Sequence, residues 1–154
     1  MIGSIARSVG AVVVGFIPAM ILIIGVEVIS DRLYPFPPGV DPHDMEVCRS
    51  HVAKLPAGIF LTAVVGWGMG TFLTSWLATR LGTGRHPVHG IVVGSFLFLG
   101  AVMNMLMLPY PIWFWGLNLV VLPGSIVFGV RQGRVRPSGT PAPIHVSESR
   151  SEAD

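Results

Sequence analysis

The sequence predicts an all-α integral membrane protein: a four-transmembrane-helix bundle with a short amphipathic helix in the outer loop between spans one and two. Three observations carry this. From Pro87 to Val130 there is no Asp, Glu, Lys or Arg. Two more charge-free stretches, Ser8–Val26 and Leu55–Thr79, precede that run. Over the whole chain 51% of residues are apolar and 12% charged, whereas a soluble domain carries about 25% charged residues. Too little polar surface exists to coat a water-soluble globule of this size. The runs are continuously apolar rather than alternating, which excludes a membrane β-barrel.

The first span is expected at about 5–29. Arg7 followed by an apolar run resembles the start of a signal peptide. The run from Ser8 to Val26 is longer than the ~7–15 residues of a signal h-region, so a retained helix is expected. The second span is expected at about 57–79. The long charge-free run would extend about 66 Å as one helix, twice the hydrocarbon thickness. It therefore divides at Pro109-Tyr110-Pro111 into spans at about 88–108 and 112–130. Residues 1–136 form one transmembrane domain. Residues 137–154, rich in Ser, Pro and Thr with little to bury, are expected to be a disordered cytoplasmic tail.

Orientation follows from the basic residues. Arg7, Arg80, Arg85, Arg131, Arg134 and Arg136 fall on one side with no acid near the spans. Arg32, Arg49 and Lys54 fall on the other, mixed with Asp31, Asp41, Asp44 and Glu46. Both termini are thus expected in the cytoplasm of a plasma or inner membrane, with loop 30–56 and the Pro109–Pro111 turn outside. Tyr110, Trp113, Trp115 and Trp76 sit where an interfacial aromatic belt would lie. Arg80, Arg85, His86, Arg131 and Arg134 are candidates for contact with lipid headgroups.

The outer loop starts with a Pro-rich segment, Asp31 to Gly39, expected to be extended. Asp41-Pro42-His43-Asp44 then reads as a helix start with Asp41 as N-cap and Pro42 at the first position. Met45, Cys48, Val52 and Leu55 share a face, so residues 42–54 are expected to form the amphipathic helix. On its other side Asp44, Cys48 and His51 follow i, i+4, i+7 spacing. Thiolate, imidazole and carboxylate suit zinc or copper. Without a paired-cysteine or HxxxH pattern they remain weak candidates, and no metal or other cofactor is expected. The single cysteine excludes an internal disulfide framework.

Glu27 is the one acid within a span, and an intramembrane carboxylate is a functional candidate by default. Its place one turn before Ser30 also allows pairing with Arg32. Asn104 and Asn118 flank the outer turn at similar depth, where a direct amide contact would stabilise the hairpin by about 0.6–2 kcal/mol. With Glu27 and Thr62 they are candidates for a shallow polar pocket opening outward. Ala11 and Gly15, Gly66 and Gly70, and Gly90 and Gly94 are small-xxx-small pairs, the pattern that lets membrane helices approach closely. Pro18 and Pro123 are expected to kink spans one and four.

Met103 and Met107 form an MxxxM which, with the GxxxG pairs, resembles copper-transporter channels over those few residues only. Those channels have three spans and a Met-rich extramembrane segment, unlike this chain. Size and span count invite comparison with the small multidrug transporters and the four-span glutathione and eicosanoid enzymes, but no characterised family is recognised. Glu27 lies near a helix end rather than mid-helix and the flanking motif of the transporters is absent, while the basic and acidic cytosolic signatures of the enzymes are not visible. No Ser-His, Cys-His or HExxH set is evident, so an enzyme is not expected.

Partners are expected to be the bilayer, with a homo-oligomer or larger membrane complex next. The small net charge of +2 gives no reason to expect nucleic acid. The leading functional expectation is a non-enzymatic accessory or structural component. The alternative is a small transporter or channel using the pocket around Glu27, Asn104 and Asn118. The topology is testable. An epitope inserted at residues 38–40 should be reached by antibody on intact cells, and one fused after Asp154 only after permeabilisation. The reverse pattern would invert the assignment.

Overall fold

The computed structural model describes residues 2–135; Arg136 and the predicted tail lie outside them. Among the described residues every regular element is helical. They are α1 (Ile2–Leu33), α2 (Met45–Val52), α3 (Ala57–Leu81), α4 (Pro87–Met107) and α5 (Ile112–Arg134), with a 3-10 turn at Thr83–Arg85. α1, α3, α4 and α5 are each long and apolar enough to cross a bilayer. Their apolar windows have mean hydropathies of 2.7, 1.5, 2.0 and 1.6. Apolar side chains cover the outside as well as the core: Ile112, Val120, Phe96, Val65 and Ile21 are all well exposed. Such a surface suits hydrocarbon, where apolar residues need no covering.

Two boundaries differ from the sequence expectation. α1 stays helical through Asp31, Arg32 and Leu33, and the amide of Tyr34 still donates to the Ser30 carbonyl at 2.8 Å. The stop is Pro35, which disfavours helix at the residue before it and cannot donate itself. Charge alone does not end a helix. The second difference is at α2. Its N-cap is Asp44, whose carboxylate accepts the Glu46 amide at 2.9 Å. Asp41 instead closes a local turn, accepting from the His43 backbone at 2.9 Å and meeting His43 Nδ1 at 3.1 Å. That turn competes with capping for the same oxygen, so the helix begins three residues later than Pro42 suggested. The His43 amide, and then the His43 ring, hold the Asp41 carboxyl below its ordinary range.

Pro18 and Pro123 lie inside continuous helices. Each leaves one carbonyl, that of Val14 or Leu119, without its usual i+4 donor. Pro in a membrane helix is tolerated where neighbours support the freed turn.

α3 is the central helix and touches α1, α4 and α5. The contacts are made by small residues. Gly66 faces Val26 of α1, and a Cβ on Gly70 would stand 3.2 Å from the Cα of Ala19. Gly90 of α4 lies against Thr79 and the Ser75 carbonyl, and Gly94 lies against Ser75 and Ile126. Gly129 and Gly133 of α5 press on the Phe72 and Trp76 carbonyls. Ala11 and Ala19 are buried, and Gly15 packs on Ala78. Gly129 and Gly133 are themselves a GxxxG pair, one that runs through Arg131 at the charged end of α5 and was not among the pairs expected from sequence.

The end where α3 and α5 finish and α4 starts, named inner after the expected topology and the opposite end outer, is tied by polar groups. Gly84 (φ 63°) and Arg85 (φ 52°) turn the chain. Arg85 Nη1 donates to the Val135 carbonyl at 2.9 Å, and His86 caps α4 by accepting the Val88 amide at 3.3 Å. His89 Nε2 meets Ser8 Oγ of α1 at 3.0 Å, and Ser8 in turn meets Thr83 Oγ1 at 3.1 Å.

Gly90→Ala should lower stability by about 1–3 kcal/mol, the usual range for overpacking against backbone. Gly116, with open space around its Cα, should accept Ala without loss. Unfolding in mixed micelles followed by circular dichroism would compare the two. Equal behaviour would deny the α3–α4 contact.

Candidate functional site

Small residues bring α1 and α4 onto α3 in different places, and this opens the bundle between them. α1 follows α3 along Gly15, Ala19 and Val26. α4 closes on α3 at Gly90 and Gly94, near its inner end. Farther out, α4 turns larger side chains inward, including the buried Met105. The result is a cavity of about 1020 Å³ in the outer half of the bundle, along the α1–α4 seam.

Each wall has its own source. α3 forms the back through Ile59, Phe60, Ala63 and Trp67. Met20, Ile23, Val26 and Glu27 of α1 form one side, and Leu97, Gly100, Ala101 and Asn104 of α4 the other. The floor is Phe16 and Phe96, packed edge to face with centroids 5.8 Å apart, beside the buried Thr71. The roof is the outer loop and α2, through Phe36, Val40, His51 and Val52.

That roof is held on both sides. Phe36 stacks on His51 at 4.1 Å and 21°. The Cys48 thiol donates to the Pro42 carbonyl at 3.0 Å. Arg49 Nε donates to the Met107 carbonyl, one of the otherwise unbonded acceptors at the end of α4, at 3.0 Å. A cation there also complements the helix dipole.

The lining is apolar below and polar above. Glu27, Ser30, Asp31, Asn104 and Tyr110 gather at the outer end. Tyr110 folds back over the turn and stacks on Phe114 at 4.5 Å and 13°. Its hydroxyl donates to Asn104 Oδ1 at 2.9 Å. Phe60 and Trp67 meet the same pair of rings edge-on, and Phe60, Met105 and Phe114 are buried. Such aromatic pairs each contribute about 0.5–1.5 kcal/mol beyond area burial, so this cluster is the firm part of the outer end. Burial, and then the charge of Glu27, push the Tyr110 phenol up to about 12. Glu27 itself makes no hydrogen bond or ion pair among the described residues, so the pairing with Arg32 is not made.

The predicted pocket residues therefore part company. Glu27 and Asn104 share the cavity. Thr62 lies off its wall, its hydroxyl bonded to the Gly58 carbonyl at 3.0 Å. Asn118 is fully buried, with its amide donating to the Phe114 carbonyl at 2.9 Å and its oxygen unpartnered. The two asparagines do not bond each other: the Asn104 oxygen accepts from Tyr110, and the Asn118 amide donates within its own helix.

The candidate metal ligands serve other ends. Asp44 caps α2, Cys48 bonds Pro42 and His51 stacks on Phe36. Among the described residues no group of three His, Cys, Asp or Glu could hold a metal ion. Met103 and Met107 are exposed on the outside of α4. At the opposite end Arg80 lies over the Trp76 ring at 5.4 Å, and Arg131 and Arg134 are exposed beside it.

Folding does create one serine–histidine contact that sequence spacing hid, between Ser8 and His89. The His89 ring accepts from Ser8 through Nε2 if Nδ1 donates to the His86 carbonyl 3.0 Å away. Ser8 sits within α1, however, where the neighbouring amides are used by the helix itself. No pair of free backbone donors stands ready for an oxyanion. The contact is a tie between helices. In the cavity lining Cys48 and His51 stand one turn apart on α2, the thiol bonded to the Pro42 carbonyl and the imidazole stacked on Phe36.

Below Thr71 the bundle is shut. Thr74, Ser75 and Thr79 are buried and their hydroxyls have no hydrogen-bond partner among the described residues. Glycines of α4 and α5 press directly on Ser75 and Thr79, so no file of water fits between them. The cavity is a one-ended cleft.

Family models, curated proteins and solved structures were all compared with the chain, and none matches.

Tyr110→Phe should cost about 1 kcal/mol by stranding the Asn104 oxygen. Its ionisation gives a second check. A phenol raised in the fold favours the neutral form, so its contribution is intact below the ordinary value of 10.0 and is lost as pH rises through about 12. An ultraviolet titration of wild type minus Tyr110→Phe should show that late step. A difference curve centred near 10 would contradict the burial.

Proposed function

We propose that the chain is a small, non-enzymatic multi-pass membrane protein that holds one amphiphilic molecule in its outer cleft. The observation that carries this reading is the cleft's gradient. Its lower part is apolar, flanked by Phe16, Met20 and Phe96, and its upper part carries Glu27, Asp31, Asn104 and Tyr110. Ligand sites of about 300–1,000 Å³ with apolar walls and a few converging polar groups are the usual form of a small-molecule pocket. An amphiphile would enter along the α1–α4 seam with its chain downward and its head under the α2 roof. The shut inner half favours a binding protein, or one state of a carrier, over an open channel.

A second reading is supported by a different feature. A shallow groove between α3 and α5, lined by Val65, Gly68, Met69, Val121, Gly124 and Phe128, lies on the bundle face away from α1. A helix of another subunit would fit such a small-residue groove, as an accessory or oligomeric component requires. Crosslinking in native membranes, followed by purification in mild detergent, tests that reading directly.

The cleft is tested with Gly100→Phe. Gly100 lines the cavity and has open space beyond its Cα, so a ring there should obstruct the cleft without disturbing the fold. A brominated alkyl amphiphile should quench tryptophan emission in wild type, chiefly through Trp67, and much less in the variant. Equal quenching in both would place the amphiphile elsewhere.

A further inference from the structure

We infer that the cleft selects an amphiphile with a cationic head, an alkylamine or quaternary ammonium. The inference rests on the cleft being an amphiphile site and adds the charge of its ligand. Two acids, Glu27 and Asp31, line the cavity, and no Lys or Arg does. The basic residues of the same end are directed elsewhere: Arg49 is bound to the Met107 carbonyl, and neither Arg32 nor Lys54 lines the cavity. Among the described residues the sole ion pair is His43 with Asp41, on the exposed loop. Among the described residues neither cleft carboxylate is paired with a cation, and the one basic side chain in the lining, His51, is stacked on Phe36. A carboxylate at the boundary of an apolar cavity gains more from a counter-charge than one in bulk water, because the low-dielectric walls do not screen it.

The second component is aromatic. Phe36, Phe60, Trp67 and Tyr110 line the same upper half of the cavity. Aromatic rings attract cations through their quadrupole, and rings grouped around an anionic centre are the usual recognition device for quaternary ammonium groups. An anionic head would meet two carboxylates and no donor stronger than Ser30, His51 or the Tyr110–Asn104 pair. A neutral head would gain only hydrogen bonds. The charge pattern therefore discriminates as well as attracts.

The test uses the full chain in maltoside micelles, which add no charge. Three photoreactive dodecyl probes differ only in the head: trimethylammonium, maltoside and sulfate. Labelled sites are read by mass spectrometry. The trimethylammonium probe should label cleft residues about tenfold more than the other two, as expected for a desolvated cation–aromatic contact assisted by a carboxylate. Glu27→Gln should abolish most of that preference while leaving maltoside labelling of the cleft unchanged. Because Glu27 is exposed and unpaired, its replacement should not affect folding, and maltoside labelling monitors this in the same sample. Equal labelling by the cationic and sulfate probes, or a preference that survives both Glu27→Gln and Asp31→Asn, would overturn the inference while leaving the cleft as an amphiphile site. Labelling scattered over the outer surface for all three probes, unaffected by Gly100→Phe, would overturn the underlying reading as well.

Discussion

Everything in this bundle depends on how closely α3 is approached. Glycines or small residues stand at its crossings with α1, α4 and α5, and several leave no room for even a methyl group. In hydrocarbon there is little hydrophobic drive between helices, so dispersion at short range and weak Cα–H···O contacts must hold them. The buried hydroxyls of Thr74, Ser75 and Thr79 belong to this scheme. Those of Ser75 and Thr79 lie at the close crossings against Gly94 and Gly90, and Thr74 meets Gly15 through its backbone carbonyl. Close approach fixes both the firm inner half and, by its absence farther out, the open seam between α1 and α4.

The outer half is stabilised differently. There the side chains are large, and aromatic rings from α3 and the α4–α5 turn interlock around Phe114. The rings leave the α1–α4 seam unfilled because they lean toward α5. One end of the molecule is therefore packed by backbone proximity and the other by aromatic volume, and the cavity lies next to the transition between the two.

The four long helices were legible because charge-free length is a direct consequence of the bilayer's thickness. The GxxxG pairs were legible as contact candidates, though not which helix each would meet. The cleft was only half legible. Glu27 and Asn104 announced themselves as polar residues in apolar runs. Thr62 and Asn118 announced themselves equally, yet rotate onto other faces, and a single sequence does not fix helix rotation when all faces are apolar. Phe60, Ala63, Trp67 and Gly70 do recur at one face of α3, a signal masked by the attention that GxxxG draws in the same helix. The Ser8–His89 tie, spanning α1 and α4, lies beyond any local spacing rule. The early end expected for α1 shows a further bias: Asp31 and Arg32 mark where a membrane ends, while Pro35 marks where a helix ends.

The bond from Arg49 to the end of α4 gives the outer loop a mechanical role. The loop leaves α1 and is fastened to α4, so it crosses the seam as a strap of fixed contour length, stiffened by its prolines. At the loop end the strap adds to the Phe16–Phe96 contact and the Ser8–His89 tie in limiting how far the two helices separate. An amphiphile entering as proposed would need only a slit for its chain, whereas its head would have to pass beneath the strap. The aperture would thus sort molecules by head diameter before any charge is felt, and the loop, rather than the helices, would set the gauge.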